Sequence, residues 1–383
     1  MAPGRVPTKC WLRPNNPWRA DAVVHIGIGL GALRHWHDGL GEVSRQLGGA
    51  LAQQAPALRD KLGWRLHFHL PQPFHGMFGN EVGYLGTHTT QRWLHLRACR
   101  FALWHHIHQH IRLRAPLGTL RQVETVHDLN FLHLKHGAKV DRYRQRLKAR
   151  LQRRDAVVAI THHVAADIAR ELAPLTTPVH VIYNGVTDLS TAPQQAVEGL
   201  DAPGQPPFLL HISRMAPSKN IVALLALAAA WPDQTLVLAG ASSDYSAAVQ
   251  RQVAEQRLSN VRIHLDISEA QKAWLYAHCS GFVFPSLTEG FGLPPLEAMH
   301  FGKPVFLSRL TSLPEIGGSV AHYFDNFDGQ AMRQVVQAGV ADHAKFNRAG
   351  VLSAHARKFS WSECAAGYLA QYRRLLNRDA GPQ

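Results

Sequence analysis

The sequence has few cysteines and no apolar run long enough to cross a membrane. The longest apolar helix that we expect, Ile221 to Trp231, is shorter than the roughly 20 residues that a bilayer requires. The N-terminus shows no convincing signal peptide. The four cysteines have neither metal-ligand nor disulfide spacing, which excludes a disulfide scaffold and indicates a reducing, cytoplasmic compartment; they are Cys10, Cys99, Cys279 and Cys364.

Acidic residues are scarce in the first half of the chain. Residues 1–185 contain 25 Lys and Arg against 11 Asp and Glu, whereas residues 186–383 contain 16 of each, so the formal charge of +14 lies in the first half. This asymmetry predicts an anionic partner for that half: lipid headgroups, a phosphorylated acceptor or nucleic acid. Peripheral binding to the inner face of the plasma membrane is one form that such a contact could take.

A metal site is weakly supported, although the chain contains 25 histidines. Two histidines in His-x-His spacing on a strand have both rings on one face, so metal binding has to be considered. No carboxylate or cysteine cluster completes a ligand set, and we therefore predict no metal. The histidines concerned are His35 and His37, His67 and His69, and His105, His106, His108 and His110.

Alternating strands and helices organise the chain into two α/β units, each with a parallel sheet. In the first unit, a strand from Ala22 to Gly29 precedes a helix that opens at Gly39 and runs to about Gln54. Residues 72–92 are expected to form a long loop. We predict an N-terminal domain, a turn-rich linker, a C-terminal domain and a final helix, over residues 1–186, 187–205, 206–360 and 361–383.

A basic helix is expected from Asp141 to Arg154, where seven Lys and Arg surround a narrow apolar stripe. Tyr143, Leu147 and Leu151 form this stripe, and we expect it to pack inward. The arginines would then supply attraction to an anionic surface.

The most informative stretch runs from Gly281 to Val305. It predicts a short strand, a glycine-bearing loop and a helix that starts at Pro294 and Pro295, because tandem prolines are tolerated only in a first turn. The helix start offers free N–H groups to an anion, and glycines let the backbone approach a ligand. Glu289 in the loop and Glu297 in about the first turn of the helix suit sugar hydroxyls on either side of a diphosphate.

A second cationic turn follows the strand at 207–213. Ser213 ends this strand, and Arg214 and Lys219 are five residues apart in the turn before the next helix. Both side chains can reach one ligand anion, Arg as a bidentate fork and Lys as a point charge.

The segment from Glu289 to Glu297 resembles the Glu-x7-Glu signature of the family-four retaining glycosyltransferases. The resemblance implies the GT-B fold, an α/β architecture in which two Rossmann-like domains face a cleft and a C-terminal helix crosses back to the first domain. The nucleotide sugar would bind mainly to the second domain and the acceptor to the first. No cofactor and no metal are expected, since the family generally needs no metal for its chemistry.

The resemblance also implies roles for particular residues. Arg214 and Lys219 bind the donor diphosphate, although Asn220 stands where the family usually has glycine. Glu289 binds the donor sugar, and His127, which follows the strand Arg121 to Val126, touches that sugar. These four are the predicted catalytic residues, and the predicted donor-binding residues are Gly39, Gly41, Asp128, Ser213, Gly240, Gly290, Phe291, Gly292, Leu293 and Glu297.

The predicted function is transfer of a mannose- or glucose-type hexose, with retained configuration, from a GDP- or UDP-hexose. The expected acceptor is a surface glycan or glycolipid, such as lipopolysaccharide or a lipid-linked polysaccharide unit. One alternative is a GT-B nucleotide-sugar epimerase, which would convert the donor without an acceptor. A remote alternative is a basic nucleic-acid-binding protein, but the basic helix lacks the interleaved aromatic residues that such a protein uses, so we predict no nucleic-acid partner.

Overall fold

The first half of the chain forms a parallel sheet of seven strands. The computed structural model describes residues 23–31, 39–134, 137–201 and 207–377. The strand order is β3-β2-β1-β4-β5-β6-β7, so the direction of winding reverses between β1 and β4. The strands are β1 (Val24–Gly29), β2 (Trp64–Leu70), β3 (Gly83–Gly86), β4 (Leu103–His106), β5 (Arg121–Val126), β6 (Ala156–Ala159) and β7 (Val179–Val181).

Four helices accompany this sheet: α1 (Gly39–Leu62), α2 (Phe131–Leu134), α3 (Ala138–Leu151) and α4 (His162–Glu171). α1 buries Val43, Leu47 and Leu51, which recur at i, i+4 and i+8 and form one stripe against the sheet. The helix continues eight residues beyond the predicted end at Gln54, with Pro56 inside it.

The second half forms a parallel sheet of six strands in the order β10-β9-β8-β11-β12-β13, with its reversal between β8 and β11. The strands are β8 (Leu209–Ile212), β9 (Leu236–Gly240), β10 (Val261–Leu265), β11 (Gly281–Phe284), β12 (Val305–Ser308) and β13 (His322–Phe324). The helices are α5 (Ile221–Ala230), α6 (Ser246–Glu255), α7 (Glu269–His278), α8 (Leu293–His300), α9 (Leu313–Gly317), α10 (Gly329–Phe346) and α11 (Ala349–Ala356).

The last helix, α12 (Trp361–Asn377), returns to the first sheet and packs against α1. His105 of β4 contacts the hydroxyl of Tyr372 at 2.7 Å and that of Thr125 at 2.8 Å, and Thr125 contacts Tyr368 at 2.9 Å. These buried bonds join α12 to the sheet through fully satisfied polar groups. We call β1–β7, α1–α4 and α12 the first lobe, and β8–β13 with α5–α11 the second lobe.

The predicted α/β fold with two parallel sheets is confirmed, and three short strands were missed. β3 lies inside the stretch expected to be a loop, and β4 and β13 carry histidines that weaken a strand pattern. Glu297 lies at the start of the second turn of α8, because this helix begins at Leu293.

The stability of the first lobe should fall in mild acid. Burial lowers the pKa of His105 to about 3, whereas an unfolded histidine titrates near 6.5. The folded protein therefore lacks a proton that the unfolded chain binds below pH 6.5. Each such histidine should lower the free energy of unfolding by about 1.4 kcal/mol per pH unit between about pH 6.5 and the folded pKa.

Urea unfolding at pH 8, 6 and 5 measures this slope. We expect a His105→Gln variant to be less stable than the parent at pH 8. On acidification its free energy of unfolding should fall less steeply, because the unfolded variant takes up one proton fewer. An unchanged slope in the variant would show that His105 is not held neutral by the fold.

Candidate functional site

The centre of the candidate site lies where the winding of the second sheet reverses. Open α/β sheets bind ligands in the crevice at this point, beyond the carboxyl ends of the strands. The turn after β8 carries Lys219 and the loop after β11 carries Glu289, and their side chains form an ion pair with an Nζ–Oε1 distance of 2.5 Å. Both are mostly buried, with 20% and 12% of the side chain exposed. The structure therefore brings together two residues that sequence analysis placed separately.

Several hydrogen bonds fix the loop that carries Glu289, and one of them joins it to the turn after β8. The Ser286 hydroxyl donates to Glu289 Oε1 at 2.7 Å, and the N–H of Leu287 donates to the carbonyl of Ser218 at 2.8 Å. The N–H of Glu289 donates to Thr311 Oγ1 at 3.0 Å. Asn220, just after Lys219, has φ 55°, a left-handed conformation that glycine and asparagine accept most readily. The departure from glycine therefore leaves the turn intact.

Ser213 and Gly240 shape the neighbouring part of the crevice. Gly240 has φ 134°, and a Cβ there would overlap the carbonyl oxygen of Ser213. His211 Nδ1 lies 2.9 Å from the carbonyl of Val283, so it must carry the proton, and Nε2 then accepts from the Ser213 hydroxyl at 2.7 Å. Burial lowers the pKa of His211 to about 4, which keeps this ring neutral. The oxygen of Ser213 is consequently left to act as an acceptor.

Arg214 follows Ser213 and is exposed. Its guanidinium forms no salt bridge with any residue in the described ranges, in contrast to Lys219. The turn after β8 thus carries two cations that suit a diphosphate: the exposed Arg214 and the partly buried Lys219.

The first lobe contributes the turn after β5, which begins with His127. The N–H of His127 donates to Gln109 Oε1 at 3.0 Å, and its ring Nε2 lies 2.7 Å from the carbonyl of Ile107. A carbonyl only accepts, so Nε2 carries the proton. Burial is the main cause that lowers the pKa of His127, and the ring is therefore neutral at neutral pH. Its Nδ1 can accept a hydrogen bond from a hydroxyl but cannot supply positive charge.

The two lobes meet directly beside Glu289. A Cβ on Gly290 would overlap the carbonyl oxygen of His127 and come within 3.1 Å of the Asp128 side chain. The Thr288 hydroxyl donates to Asn130 Oδ1 at 2.5 Å, which ties the loop after β11 to the turn after β5. Because of these contacts, His127 and Asp128 lie next to the loop that carries Glu289.

A second bridge between the lobes ends at the first turn of α4. The Glu315 carboxylate accepts from the N–H groups of His162 and His163 at 2.7 and 2.9 Å, and from the Tyr183 hydroxyl at 2.8 Å. A carboxylate at the N-terminus of a helix satisfies free N–H groups and complements the helix dipole. Sequence analysis had no signal for this contact, because α4 and Glu315 are about 150 residues apart.

Glu297 occupies a different position from Glu289. Its carboxylate is buried, with Lys272 Nζ 2.7 Å from Oε1 and the Tyr276 hydroxyl 2.7 Å from Oε2. Burial opposes a charge on Lys272, but Glu297 raises the pKa of that amine overall. Pro294 and Pro295 also remove two N–H groups from the first turn of α8. Fewer amide donors are thus available to an anion than a helix start normally offers.

The remaining predicted donor-binding residues differ in their surroundings. Gly292 caps α8 with φ 112°, and Phe291 is buried against Tyr183 and Phe359, so only the backbone of Phe291 can face a ligand. Leu293 is half-buried at the start of α8. Gly39 is exposed and Gly41 is buried in the first turn of α1.

Among the described residues, no group of three or more His, Cys, Asp or Glu is arranged to hold a metal ion. Cys279 and Cys364 are buried free thiols, and Cys99 is half-buried. Cys10, His35 and His37 lie outside the described residues. No helix in the described part of the chain is long and apolar enough to span a membrane.

The two parallel sheets are each doubly wound and the candidate site lies where the lobes meet, so this is a two-lobed α/β protein. Comparison with known proteins gives its family. The model for Glycosyltransferase Family 4 matches residues 46–188, and the model for Glycosyl transferases group 1 matches residues 194–323. Together they cover most of both lobes. The chain belongs to the group 1 glycosyltransferases with the GT-B fold, which confirms the resemblance found at Glu289 to Glu297.

Similar proteins agree with this assignment. The serotype-specific mannosyltransferase WbdA of Escherichia coli is 31% identical over 247 residues, which are 60% of this chain and 30% of that protein. The O-antigen chain mannosyltransferase B of the same species is 34% identical over 176 residues, 44% of this chain and 46% of that protein. The chain thus spans less than half the length of either relative.

Solved structures share the fold at low identity. Sucrose-phosphate synthase from Thermosynechococcus elongatus aligns with a TM-score of 0.72 and 20% identity, over 93% of this chain and 100% of that one. Anabaena HepE, solved with UDP and glucose, aligns with a TM-score of 0.65 and 17% identity, over 92% of this chain and 100% of that one.

Adding one methyl group at Gly290 tests the contact between the lobes. Gly290→Ala should force the loop away from His127 and lower the free energy of unfolding by about 1–3 kcal/mol, the usual cost of overpacking. Gly49→Ala is the control: no described atom lies within 4 Å of a Cβ there, and alanine in the middle of α1 should stabilise by up to about 1 kcal/mol. Equal stability of Gly290→Ala and the parent in urea unfolding would show that the lobes do not meet here in solution.

Proposed function

We propose that this protein transfers a hexose from a nucleotide sugar to a surface glycan, such as lipopolysaccharide or a lipid-linked polysaccharide unit. The observation that carries the proposal is the pairing of Lys219 with Glu289 at the winding reversal of the second sheet, next to His127. One crevice thus contains a cation that suits a diphosphate. It also contains a carboxylate and an imidazole that suit sugar hydroxyls as acceptors. The curated relatives above are mannosyltransferases, which favours mannose, carried by GDP or UDP.

In the proposed reaction, the bond between the anomeric carbon and the diphosphate oxygen breaks and a bond to an acceptor hydroxyl oxygen forms. The nucleoside diphosphate departs with the bonding electron pair. Lys219, Arg214 and the remaining N–H groups near the start of α8 would stabilise the negative charge that grows on it. Since two prolines remove amide donors from that helix start, the two side chains carry most of this role.

The sugar hydroxyls would donate to acceptors. Glu289 has a second oxygen free of Lys219, and His127 has an unprotonated Nδ1, so each can orient a hydroxyl of the donor hexose. We assign Glu297 to the ribose hydroxyls, where its carboxylate would add to its bonds with Lys272 and Tyr276. We further propose that the anomeric configuration is retained, with the acceptor proton passing to the departing phosphate.

The proposed acceptor is lipid-linked, which places the reaction at a membrane. The basic first lobe supports a cytoplasmic protein held peripherally at an anionic inner surface. Neither a metal nor a cofactor is part of the proposed chemistry, because the cationic side chains already offset the diphosphate charge.

Lys219 and Glu289 should respond differently to substitution. Lys219→Ala should weaken binding of the nucleoside diphosphate and lower the transfer rate about a hundredfold or more, since a preorganised donor is lost. Glu289→Gln should lower the transfer rate as strongly, yet leave nucleoside diphosphate affinity equal or tighter, because the carboxylate that competes for Lys219 is gone. Calorimetry with GDP and UDP and a radiolabelled transfer assay measure both quantities.

Lys345→Ala is the matched control, since Lys345 is exposed at the end of α10, and it should change neither quantity. Unchanged diphosphate affinity in Lys219→Ala would overturn the role of this lysine. Conversion of the labelled donor into its epimer without any acceptor would instead favour an epimerase.

Nucleotide identity can be obtained from thermal unfolding with a panel of nucleoside diphosphates and nucleotide sugars. A ligand at 100 times its Kd should stabilise the protein by about 2.7 kcal/mol. We expect GDP or UDP compounds to raise the melting temperature most. No shift with any nucleotide would contradict a nucleotide-sugar site.

A further inference from the structure

An unusual group of apolar side chains is exposed on the first lobe. Trp93, Leu94, Leu96 and Leu117 are 70%, 54%, 62% and 74% exposed, and we call them the Trp93 patch. The N–H of Leu117 donates to the carbonyl of His95 at 2.8 Å, so the four side chains come from neighbouring backbone segments. Single exposed apolar residues are common, whereas several of them on adjoining backbone segments are typical of an interaction surface.

The Trp93 patch lies over packed aromatic side chains of the first lobe. Beneath it, the His95 ring contacts the rings of Trp104 and His69 at 5.4 and 5.0 Å, and its Nδ1 lies 2.8 Å from the carbonyl of Arg114. His105 faces α12, and successive strand residues point to opposite faces, so Trp104 and the patch lie on the sheet face away from α12.

The chain segments that carry the patch also carry exposed arginines, with no acidic residue near them in sequence. Residues 82–120 contain no Asp or Glu. Arg92, Arg100, Arg112 and Arg114 are exposed, and none of them forms a salt bridge with a carboxylate in the described part of the chain. The positive charges of these four arginines are therefore not offset by a described carboxylate.

The basic helix is a poorer candidate for this role, contrary to our expectation from sequence. Arg144 of α3 pairs with Asp141 and Glu171, and Arg150 pairs with the buried Glu124. Tyr143, predicted to pack inward, is 41% exposed. Two of the six Lys and Arg on α3 are thus neutralised within the protein, and Tyr143 is the one large apolar side chain of the described part of α3 that is exposed beside the others.

We propose that the Trp93 patch is the surface through which the protein docks on an anionic lipid bilayer. A tryptophan with leucines suits the boundary between headgroups and acyl chains, and the arginines suit the negative surface potential. Nucleic acid fits less well, because binding to it uses several stacked aromatic rings and not leucines. The proposal rests on the proposed function in one respect: a lipid-linked acceptor gives the docking its purpose.

Sedimentation of the full chain with vesicles tests the surface. We expect binding to vesicles of 70% phosphatidylcholine and 30% phosphatidylglycerol, weakened by salt, and little binding to pure phosphatidylcholine. Arg112→Gln with Arg114→Gln should lower the partition coefficient about fivefold per arginine. Trp93→Ser with Leu96→Ser should lower the partition coefficient at least tenfold, because two apolar side chains that the bilayer would bury are lost.

Matched controls carry the same chemical changes elsewhere. Arg142→Gln with Arg146→Gln removes two exposed charges from α3, and Phe346→Ser removes a side chain that is 59% exposed on the second lobe. Both should bind vesicles nearly as well as the parent. Equal losses in the patch variants and the controls would overturn the proposal, and so would vesicle binding that no variant changes.

Two further measurements separate this proposal from the proposed function. GDP and UDP affinity should be unchanged in the patch variants, so loss of vesicle binding with intact nucleotide binding supports the docking surface. Absence of vesicle binding by a parent protein that binds nucleotide rejects the docking surface alone. Binding of an oligonucleotide that depends on the patch, without vesicle binding, would assign the surface to nucleic acid and also reject it.

Discussion

The ion pair between Lys219 and Glu289 is the interaction on which the rest of the site depends. It exists because β8 and β11 are neighbours in the sheet although 68 residues separate Ile212 from Gly281 in the chain. Parallel strands present their carboxyl ends at one edge, so the turn after β8 and the loop after β11 must meet there. In this pair, each charge compensates the other. A diphosphate that takes Lys219 would free a carboxylate oxygen for the sugar, so that the two halves of the donor are recognised together.

The first lobe contributes to the site at this same edge of the second sheet. The turn after β5 reaches the loop of Glu289 through Gly290 and through the bond between Thr288 and Asn130. Glu315 supports this contact from one side by capping α4. His127 is kept neutral by burial, and the bond from its Nε2 to Ile107 leaves a single acceptor atom. Of the described side chains at this contact, Lys219 of the second lobe supplies positive charge and His127 of the first lobe supplies a neutral hydrogen-bond acceptor.

Much of the fold was predictable from sequence because it depends on local pattern. Continuous apolar runs identified the central strands, and tandem prolines marked the start of α8. The strands β3, β4 and β13 were not predicted, because each has only three or four residues and contains glycine or histidine. Family resemblance supplied Arg214, Lys219 and Glu289 as candidates. The pairing of Glu297 with Lys272 and Tyr276 was beyond sequence, since it depends on how α7 packs against α8. Exposure of Leu117 beside Leu94 was also beyond sequence, because solvent contact is a property of the completed fold.

The return of α12 has a consequence for the order in which the molecule assembles. Its buried tyrosines complete the core of the first lobe, although they are synthesised after the whole second lobe. Chains generally fold from the N-terminus as they emerge. Here the first lobe has to wait with an apolar face uncovered until translation has passed residue 377. Of the two lobes, the one that is synthesised first is thus completed last.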